Sequence, residues 1–241
     1  MKFLLSLLAL IVFQSTFSQD TLDVSSISEA IDETKRGNFV QLSIWNDKSS
    51  NFPEDFFSIP QDKLLALIID DCSYSELPEK LSDYSNVAYF RYYSSSLGND
   101  YPLKTFPNFL TKWENLWLLE IEGAVFSQIP SLSNLLDLEE LSLVKCGLTE
   151  FPEGILELTN LKNLTLGCNQ IVSIPDEIDQ LVNLRTLDMS NDFCLFATPP
   201  ALSYIPKSLS NLPKLKQFNY GNTEVFEWEF EEFFKTLPKE D

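Results

Sequence analysis

The chain has 241 residues, of which 36 are acidic and 17 are basic, and its formal net charge is −19. Such a negative surface repels phosphate backbones, so we do not expect nucleic-acid binding. Histidine is absent, which excludes the Ser-His-Asp and Cys-His nucleophile arrangements and removes the commonest zinc ligand. We therefore predict a protein that is not an enzyme and that holds no metal or cofactor.

The first 18 residues have the features of a secretory signal peptide. Lys2 precedes an apolar run over residues 3–13, and small residues follow at Thr16 and Ser18. The run has about half of the ~20 residues that a membrane-spanning helix needs, so we expect no stable membrane insertion. We predict cleavage after Ser18, a mature chain with 16 basic and 36 acidic residues, and a secreted, periplasmic or cell-surface location.

Residues 19–38 are predicted to form an N-terminal capping helix. Ser26-x-x-Glu29 is a capping box, in which each side chain satisfies a free backbone N–H group of the first turn. Gly37 is a plausible stop signal, so the helix should cover residues 26–36. One face of this helix would be apolar or nearly so: Ile27, Ala30, Ile31 and Thr34.

A pattern of about 23 residues then recurs over residues 39–223. One copy reads Leu161-x-x-Leu164-x-Leu166-x-x-Asn169 and continues to an apolar-Pro pair at Ile174-Pro175. Matching copies begin at positions 39, 64, 87, 116, 138, 161, 184 and 215. Self-similarity at such a period is the signature of a solenoid.

This pattern resembles the leucine-rich repeat family, in the class with Leu/Ile-Pro on the return leg that secreted bacterial proteins carry. The Leu-x-Leu alternation predicts a short strand with one buried face. Proline has a fixed φ and no N–H group, which suits an extended or 3₁₀ return leg. We therefore expect an α/β solenoid, a curved arc with about eight parallel strands on its concave face, an irregular or 3₁₀ convex side, and helical caps at both ends.

The C-terminal cap is predicted over residues 224–241. Four apolar residues there are spaced four, three and four apart, as on one face of a helix: Phe226, Phe230, Phe233 and Leu237. Two repeats are longer than the others, with extra residues within 94–104 and 193–204. Such insertions become loops on one face, either for binding or without function.

The family resemblance also implies roles for the cysteines. In the family, Asn follows the Leu-x-Leu strand and bonds the turn backbone of neighbouring repeats, and Cys72 and Cys146 stand in that column here. They lie three repeats apart, so we expect two free buried thiols. Cys168 and Cys194 lie in adjacent repeats, and both the free and the disulfide-bonded states remain open for them.

The residues between the leucines of each strand should point outward on the concave face. In the N-terminal half of the arc they include aromatic, arginine and acidic side chains, a composition typical of protein-binding hot spots. The predicted partner-binding residues are Trp45, Ile68, Asp70, Tyr89, Arg91, Tyr93, Leu118, Glu120 and Glu122. We expect Trp45, Tyr89 and Tyr93 to be exposed, and Arg91 to pair with Glu120. Alternatively, these side chains shield the sheet, or the loop at 94–104 covers them.

The sequence thus predicts a non-catalytic module that binds a protein or peptide partner through its concave face. The alternative is a carbohydrate-binding or cell-surface coat protein that uses Trp45, Tyr89 and Tyr93 as stacking platforms. The identity of the partner does not follow from the sequence.

Overall fold

A computed structural model describes residues 21–95, 102–191, 194, 202–221, 223–226, 233 and 235 of the chain. These residues form one sheet of ten strands whose order in space is their order in the chain. The strands are β1 (Thr21–Val24), β2 (Phe39–Trp45), β3 (Leu64–Asp70), β4 (Tyr89–Tyr93), β5 (Leu118–Glu122), β6 (Glu140–Val144), β7 (Asn163–Thr165), β8 (Thr186–Ser190), β9 (Gln217–Gly221) and β10 (Thr223–Phe226). The helix α1 (Ile27–Lys35) lies between β1 and β2.

The eight predicted repeat strands are β2 to β9, and the prediction of one continuous parallel sheet is confirmed. Strands β1 to β9 pair in parallel, and pairing continues from β4 to β5 and from β8 to β9, across both long repeats. The register sets equivalent repeat positions side by side, for example Leu119 beside Leu141 and Leu164 beside Leu187. These leucines are buried, because alternate residues of each strand point to the solenoid interior.

Most return legs contain short 3₁₀ helices, as the proline pattern predicts, whereas the fully described leg between β5 and β6 has none. These helices span Glu54–Ser58, Gln61–Lys63, Glu79–Asp83, Asn108–Lys112, Glu153–Ile155, Asp176–Gln180 and Lys207–Asn211. A proline precedes each one, since its fixed φ directs the extended chain into the turn. Most of these helices insert apolar side chains into the core, for example Phe56, Leu81 and Ile178. The convex side thus supplies the second wall of the core.

Asn169 bonds the turns of adjacent repeats. Its Nδ2 donates to the Leu143 and Leu166 carbonyl oxygens at 2.7 and 2.9 Å, and its Oδ1 accepts from the Cys146 and Leu148 N–H groups. Cys146 holds the same place one repeat earlier and directs its thiol at the Ile121 carbonyl oxygen, 3.4 Å away. A thiol replaces the donor half of the amide but cannot replace its acceptor half at equal strength.

The four cysteines divide into two kinds. Cys72 and Cys146 are buried free thiols, which confirms that expectation. Cys168 and Cys194 form a disulfide bond, so the open alternative is resolved in favour of the bridge. The bond joins the turn after β7 to the long repeat that follows β8, and thereby fixes one point of the insertion at 193–204.

The N-terminal cap consists of β1 and α1, so the prediction of a capping helix over residues 19–38 is wrong for the strand Thr21–Val24 and correct for Ile27–Lys35. Ser26 is the N-cap residue, and its Oγ accepts the N–H of Glu29 at 3.2 Å. Ala30 and Thr34 are the buried residues of α1, and Gly37 follows with a φ of +96°. Among the described residues, no helix is long and apolar enough to cross a membrane.

The C-terminal cap differs from the helix predicted over residues 224–241. Thr223–Phe226 form β10, which pairs antiparallel with β9. The free edge of β9 offers unpaired backbone groups, and the alternation of Thr223 and Val225 suits a strand. Phe226 is therefore the last residue of a strand and not part of a helix, whereas Phe230 and Leu237 lie outside the described residues. Phe233 is in a helical segment and contacts the rings of Phe218 and Tyr220.

Candidate functional site

The predicted partner-binding residues lie side by side on the concave face, on strands β2 to β5. Parallel register places them in three rows that run across the strands. The first row includes Tyr89 and Leu118, the second Ile68, Arg91 and Glu120, and the third Trp45, Asp70, Tyr93 and Glu122. Neighbouring strands lie about 4.8 Å apart, so each row is a line of adjacent side chains.

The prediction that Tyr89 is exposed is wrong, and Leu118, also a predicted contact residue, is buried as well. Tyr89 is 3% exposed and Leu118 1%, and they form a small apolar cluster with Ala66 and Ala88. Half-buried Leu65, Ile68 and Trp117 pack against this cluster. Strand alternation decides the side of the sheet to which a residue points. It does not decide whether longer neighbours on a concave surface cover that residue.

The charged residues pair differently from the prediction as well. Arg91 forms its ion pair with Asp70, with Nε 3.2 Å from Oδ1, and not with Glu120. Glu120 instead accepts the Tyr89 hydroxyl at 2.8 Å through Oε2. Glu120 is the register neighbour of Arg91 on β5, whereas Asp70 lies on β3 two residues beyond Ile68, the register neighbour of Arg91 on that side.

Burial and charge oppose each other at this network. Burial raises the pKa of Asp70, and the Arg91 guanidinium counteracts part of that effect. Burial together with the Glu120 carboxylate raises the pKa of the Tyr89 hydroxyl far above its ordinary value, so Tyr89 remains a neutral donor. Glu122 forms an ion pair with Lys145, whose Nζ lies 3.0 Å from Oε1. Asp70 and Glu122 are thus held in ion pairs, and Glu120 by the hydrogen bond from Tyr89.

Three apolar or aromatic side chains remain accessible in the site. Trp45 is 71% exposed at the end of β2, the most exposed of the large apolar side chains that the structure describes. Ile68 and Tyr93 are half-buried, and the Arg91 guanidinium lies 5.6 Å from the centre of the Tyr93 ring. We call Trp45, Ile68 and Tyr93 the concave anchor. Its floor is the buried Tyr89 cluster.

Sequence reasoning missed two residues of this region, Lys145 and Trp117. Lys145 follows β6 in a left-handed conformation, with a φ of 53°, and is the cationic partner of Glu122. The sequence could have predicted this ion pair, because Glu122 and Lys145 are 23 positions apart and so lie in neighbouring repeats. Trp117 precedes β5 and packs against the Tyr89 cluster, and only the packing reveals that role.

The concave face changes character after β6. On β7 to β9 its outward residues are polar or glycine, for example Asn163, Thr186 and Gly167. Asp188 accepts a hydrogen bond from Asn219 Nδ2 at 3.2 Å. Within the described part of the chain, no group of three or more His, Cys, Asp or Glu residues could hold a metal ion.

Comparison with known proteins identifies the repeat. Residues 137–192 match the family model described as leucine rich repeat. The chain is a leucine-rich repeat protein. TMV resistance protein N of Nicotiana glutinosa is 29% identical over 159 residues, which are 63% of this chain and 13% of that protein. The chain spans 12–13% of the length of the curated relatives it matches.

Solved structures match the leucine-rich repeat fold over most of the chain. An LRR protein of Leptospira interrogans matches with a TM-score of 0.59 and 20% identity, over 90% of this chain and 63% of that one. The plant peptide hormone receptor RGFR1 in complex with RGF2 matches with a TM-score of 0.55 and 21% identity, over 81% of this chain and 33% of that one. At these identities the likeness concerns the fold alone.

Proposed function

We propose that this leucine-rich repeat protein is a non-catalytic binding module that takes a protein or peptide segment on the N-terminal half of its concave face. The observation that carries the proposal is the concave anchor. Trp45 is exposed at the end of a rigid sheet, with Ile68 and Tyr93 on the next two strands. Exposed aromatic side chains beside an arginine are the composition of binding hot spots.

The floor of the site favours tight binding. The Tyr89 ring is fixed by its burial and by its hydrogen bond to Glu120, and the Asp70–Arg91 pair is formed without a ligand. A surface that is ordered before binding loses little conformational entropy when it binds. A likeness in fold to a peptide hormone receptor solved in complex with RGF2 supports the same kind of ligand.

Charge narrows the choice of ligand. The site has three carboxylates, Asp70, Glu120 and Glu122, against two cations, Arg91 and Lys145. The chain as a whole carries a net charge of −19. An extended segment with an apolar side chain for the anchor and a basic residue beside it therefore complements the surface best.

We further propose that the protein acts outside the cytoplasm, in the secreted, periplasmic or cell-surface location that the first 18 residues indicate. The Cys168–Cys194 disulfide supports this proposal, because such bonds persist mainly in oxidising compartments.

The stacking role proposed for the alternative function loses one of its three platforms. That function needs the ring faces of Trp45, Tyr89 and Tyr93, and the Tyr89 ring is buried. Two rings on strands separated by β3 remain, which is a weaker basis for stacking on sugars than for anchoring a peptide.

The proposal can be tested by selecting peptides from a displayed random library against the full chain. Trp45→Ala should weaken the selected peptides by at least about tenfold, a typical loss for an aromatic hot spot. Val172→Ala is the matched control, since Val172 is also an exposed apolar residue but lies on the return leg after β7. Equal effects of the two substitutions would refute the proposed site.

A further inference from the structure

A second surface lies at the rim of the sheet, one residue before the first concave row of each strand. In the C-terminal half its residues are Lys162, Arg185 and Lys216, which directly precede the consecutive strands β7, β8 and β9. Their backbones are in register, because the Arg185 N–H donates to the Lys162 carbonyl oxygen at 2.7 Å and the Lys216 N–H to the Arg185 carbonyl oxygen at 2.8 Å. Lys214 lies two residues before Lys216. We call these four residues the basic rim.

Like charges at equivalent positions of neighbouring strands repel each other, so an uncompensated row of this kind is destabilising. Lys162 is compensated by Glu139, whose Oε1 lies 2.6 Å from Nζ. Burial acts to raise the pKa of Glu139, but hydrogen bonds from Lys162 and Trp117 lower it below its ordinary value, so this carboxylate stays charged. One cation of the row is therefore paired.

The other two cations of the row are not paired in this way. Arg185 and Lys216 are exposed, and neither forms an ion pair within the part of the chain that the structure describes. Lys214 donates to the neutral Asn183 Oδ1 rather than to a carboxylate. Within the described residues, Arg185, Lys214 and Lys216 thus lie together without a salt bridge, although the charge of Arg185 helps to lower the pKa of Glu139.

The local charge, rather than the net charge, decides what this rim attracts. Charges separated by more than about 8 Å are largely screened at physiological ionic strength. Neighbouring strands are about 4.8 Å apart, so each cation of the row acts on the next one, and on a ligand beside it, within that length. An anionic chain that lies across the strands would meet a cation at each step.

The surface beside the basic rim indicates what else the ligand carries. The adjoining positions of the first concave row are Asn163, Thr186 and Gln217, each half-buried. Their amide and hydroxyl groups can both donate and accept hydrogen bonds, which matches a ligand rich in hydroxyl groups. The next two rows on β7 to β9 are polar or glycine, so this region has no aromatic anchor for a protein partner.

We propose that the basic rim binds an acidic polysaccharide whose sugars carry carboxylate groups. Arg185 pairs with a carboxylate through the two parallel hydrogen bonds that a guanidinium offers, and Lys214 and Lys216 pair with neighbouring carboxylates as point charges. Asn163, Thr186 and Gln217 bond the sugar hydroxyl groups. This site is separate from the concave anchor and relies on charge rather than on aromatic stacking.

The test measures binding of polygalacturonate to the full chain by calorimetry at two salt concentrations. We expect the unaltered protein to bind more weakly at higher salt, because each ion pair releases counterions. The double variant Arg185→Glu, Lys216→Glu should bind at least about tenfold more weakly and with a smaller salt dependence. Arg185→Lys, which keeps the charge but loses the paired hydrogen bonds, should give an intermediate affinity.

The matched control is Lys80→Glu, Lys207→Glu, which makes the same change of net charge at exposed residues on the convex side. An equal loss of affinity in the control would show that net charge alone matters and would overturn the proposal. Equal or tighter binding of neutral dextran, or of poly-L-glutamate, would overturn it too. Trp45→Ala should leave polygalacturonate binding unchanged, so this result is independent of the peptide site. Thermal melts confirm that each variant is folded.

Discussion

At the scale of single residues, the turn column shows how much one amide contributes to the stack. Asn169 connects four backbone groups in two repeats, whereas Cys146 in the equivalent place offers one weak donor. Burying a backbone group without a partner costs about 1–3 kcal/mol. The repeats around Asn169 should therefore depend on this side chain more than the repeats around Cys146 depend on the thiol.

Asn169→Ala should lower the free energy of unfolding by about 2–4 kcal/mol, because the N–H groups of Cys146 and Leu148 lose their acceptor. Cys146→Ala should lower it by about 1 kcal/mol, since only a weak donor and a small volume are lost. Urea denaturation measures both values. Similar losses would show that the amide network contributes little.

Glu140 gives the stability of the protein a particular dependence on pH. It lies at the start of β6, and burial raises its pKa, while a hydrogen bond from Asn163 acts in the opposite direction. A carboxyl group whose pKa is higher in the folded state disfavours folding once it ionises. Its cost is therefore absent below its unfolded pKa of about 4.3 and develops as the pH rises through the folded value.

Glu140→Gln should consequently raise the melting temperature at pH 7, by on the order of 2 °C, and should have little effect near pH 4. The amide keeps an acceptor for Asn163. Calorimetric melts at the two pH values measure the difference, and Glu150→Gln, at an exposed site, controls for the change in net charge. A gain that is larger at pH 4 than at pH 7 would contradict the assignment.

At this scale, the sequence identifies neighbours but not partners. Register places Arg91 beside Glu120 on β5 and beside Ile68 on β3, with Asp70 two residues further along β3, so either pairing was consistent with the repeat. In the structure Arg91 pairs with Asp70, and Glu120 accepts the Tyr89 hydroxyl. The Tyr89 ring that carries this hydroxyl is buried in a cluster with Ala66 and Ala88, which the sequence pattern did not reveal.

At the scale of elements, the strands and return legs could be predicted from the sequence because the same pattern of residues recurs in every repeat. The sequence pattern of the C-terminal cap occurs only once. Its aromatic spacing predicted a helix from residue 224, but the chain there adds β10 to the open edge of β9. The helix prediction is therefore wrong for Thr223–Phe226, where the free edge of β9 offers backbone hydrogen bonds, whereas Phe233 is helical as predicted. A cap is thus harder to predict than a repeat.

The C-terminal cap should nevertheless contribute to stability through Phe233. Its ring packs against Phe218 and Tyr220, which belong to the last repeat strand. Phe233→Ala should lower the free energy of unfolding by about 2–3 kcal/mol, less than for a fully buried phenylalanine. Circular-dichroism melts would show the loss, with Tyr204→Ala as the exposed aromatic control. No difference between the two variants would mean that the end of the stack needs no cover.

Alkylation of the cysteines tests the disulfide between two adjacent repeats and the burial of the two free thiols. In the folded protein Cys72 and Cys146 are buried and Cys168 is bonded to Cys194, so an alkylating reagent should add no label. Unfolding without a reductant should expose two thiols, and unfolding with a reductant should expose four. Mass spectrometry counts the labels. Four labels without a reductant would contradict the disulfide, and labels on the folded protein would contradict the buried positions.

At the scale of the whole molecule, the sheet is a one-dimensional stack in which each repeat contacts its neighbours. The sequence predicted the solenoid, its parallel register and its 3₁₀ convex side. It also placed the proposed partner residues together on one face. It could not give the depth of that face, because curvature and neighbouring side chains determine which outward residues a ligand reaches. Of the nine predicted partner-binding residues, the concave anchor keeps three as the apolar contacts: Trp45, Ile68 and Tyr93.

The most direct test of the central proposal is a crystal structure of the full chain with a peptide selected against it. We expect the peptide on the concave face of β2 to β4, with an apolar side chain in contact with Trp45, Ile68 and Tyr93, and with the Asp70–Arg91 pair retained. A peptide bound on the convex 3₁₀ helices, or on the polar rows of β7 to β9, would contradict the assignment of the concave anchor as the binding site.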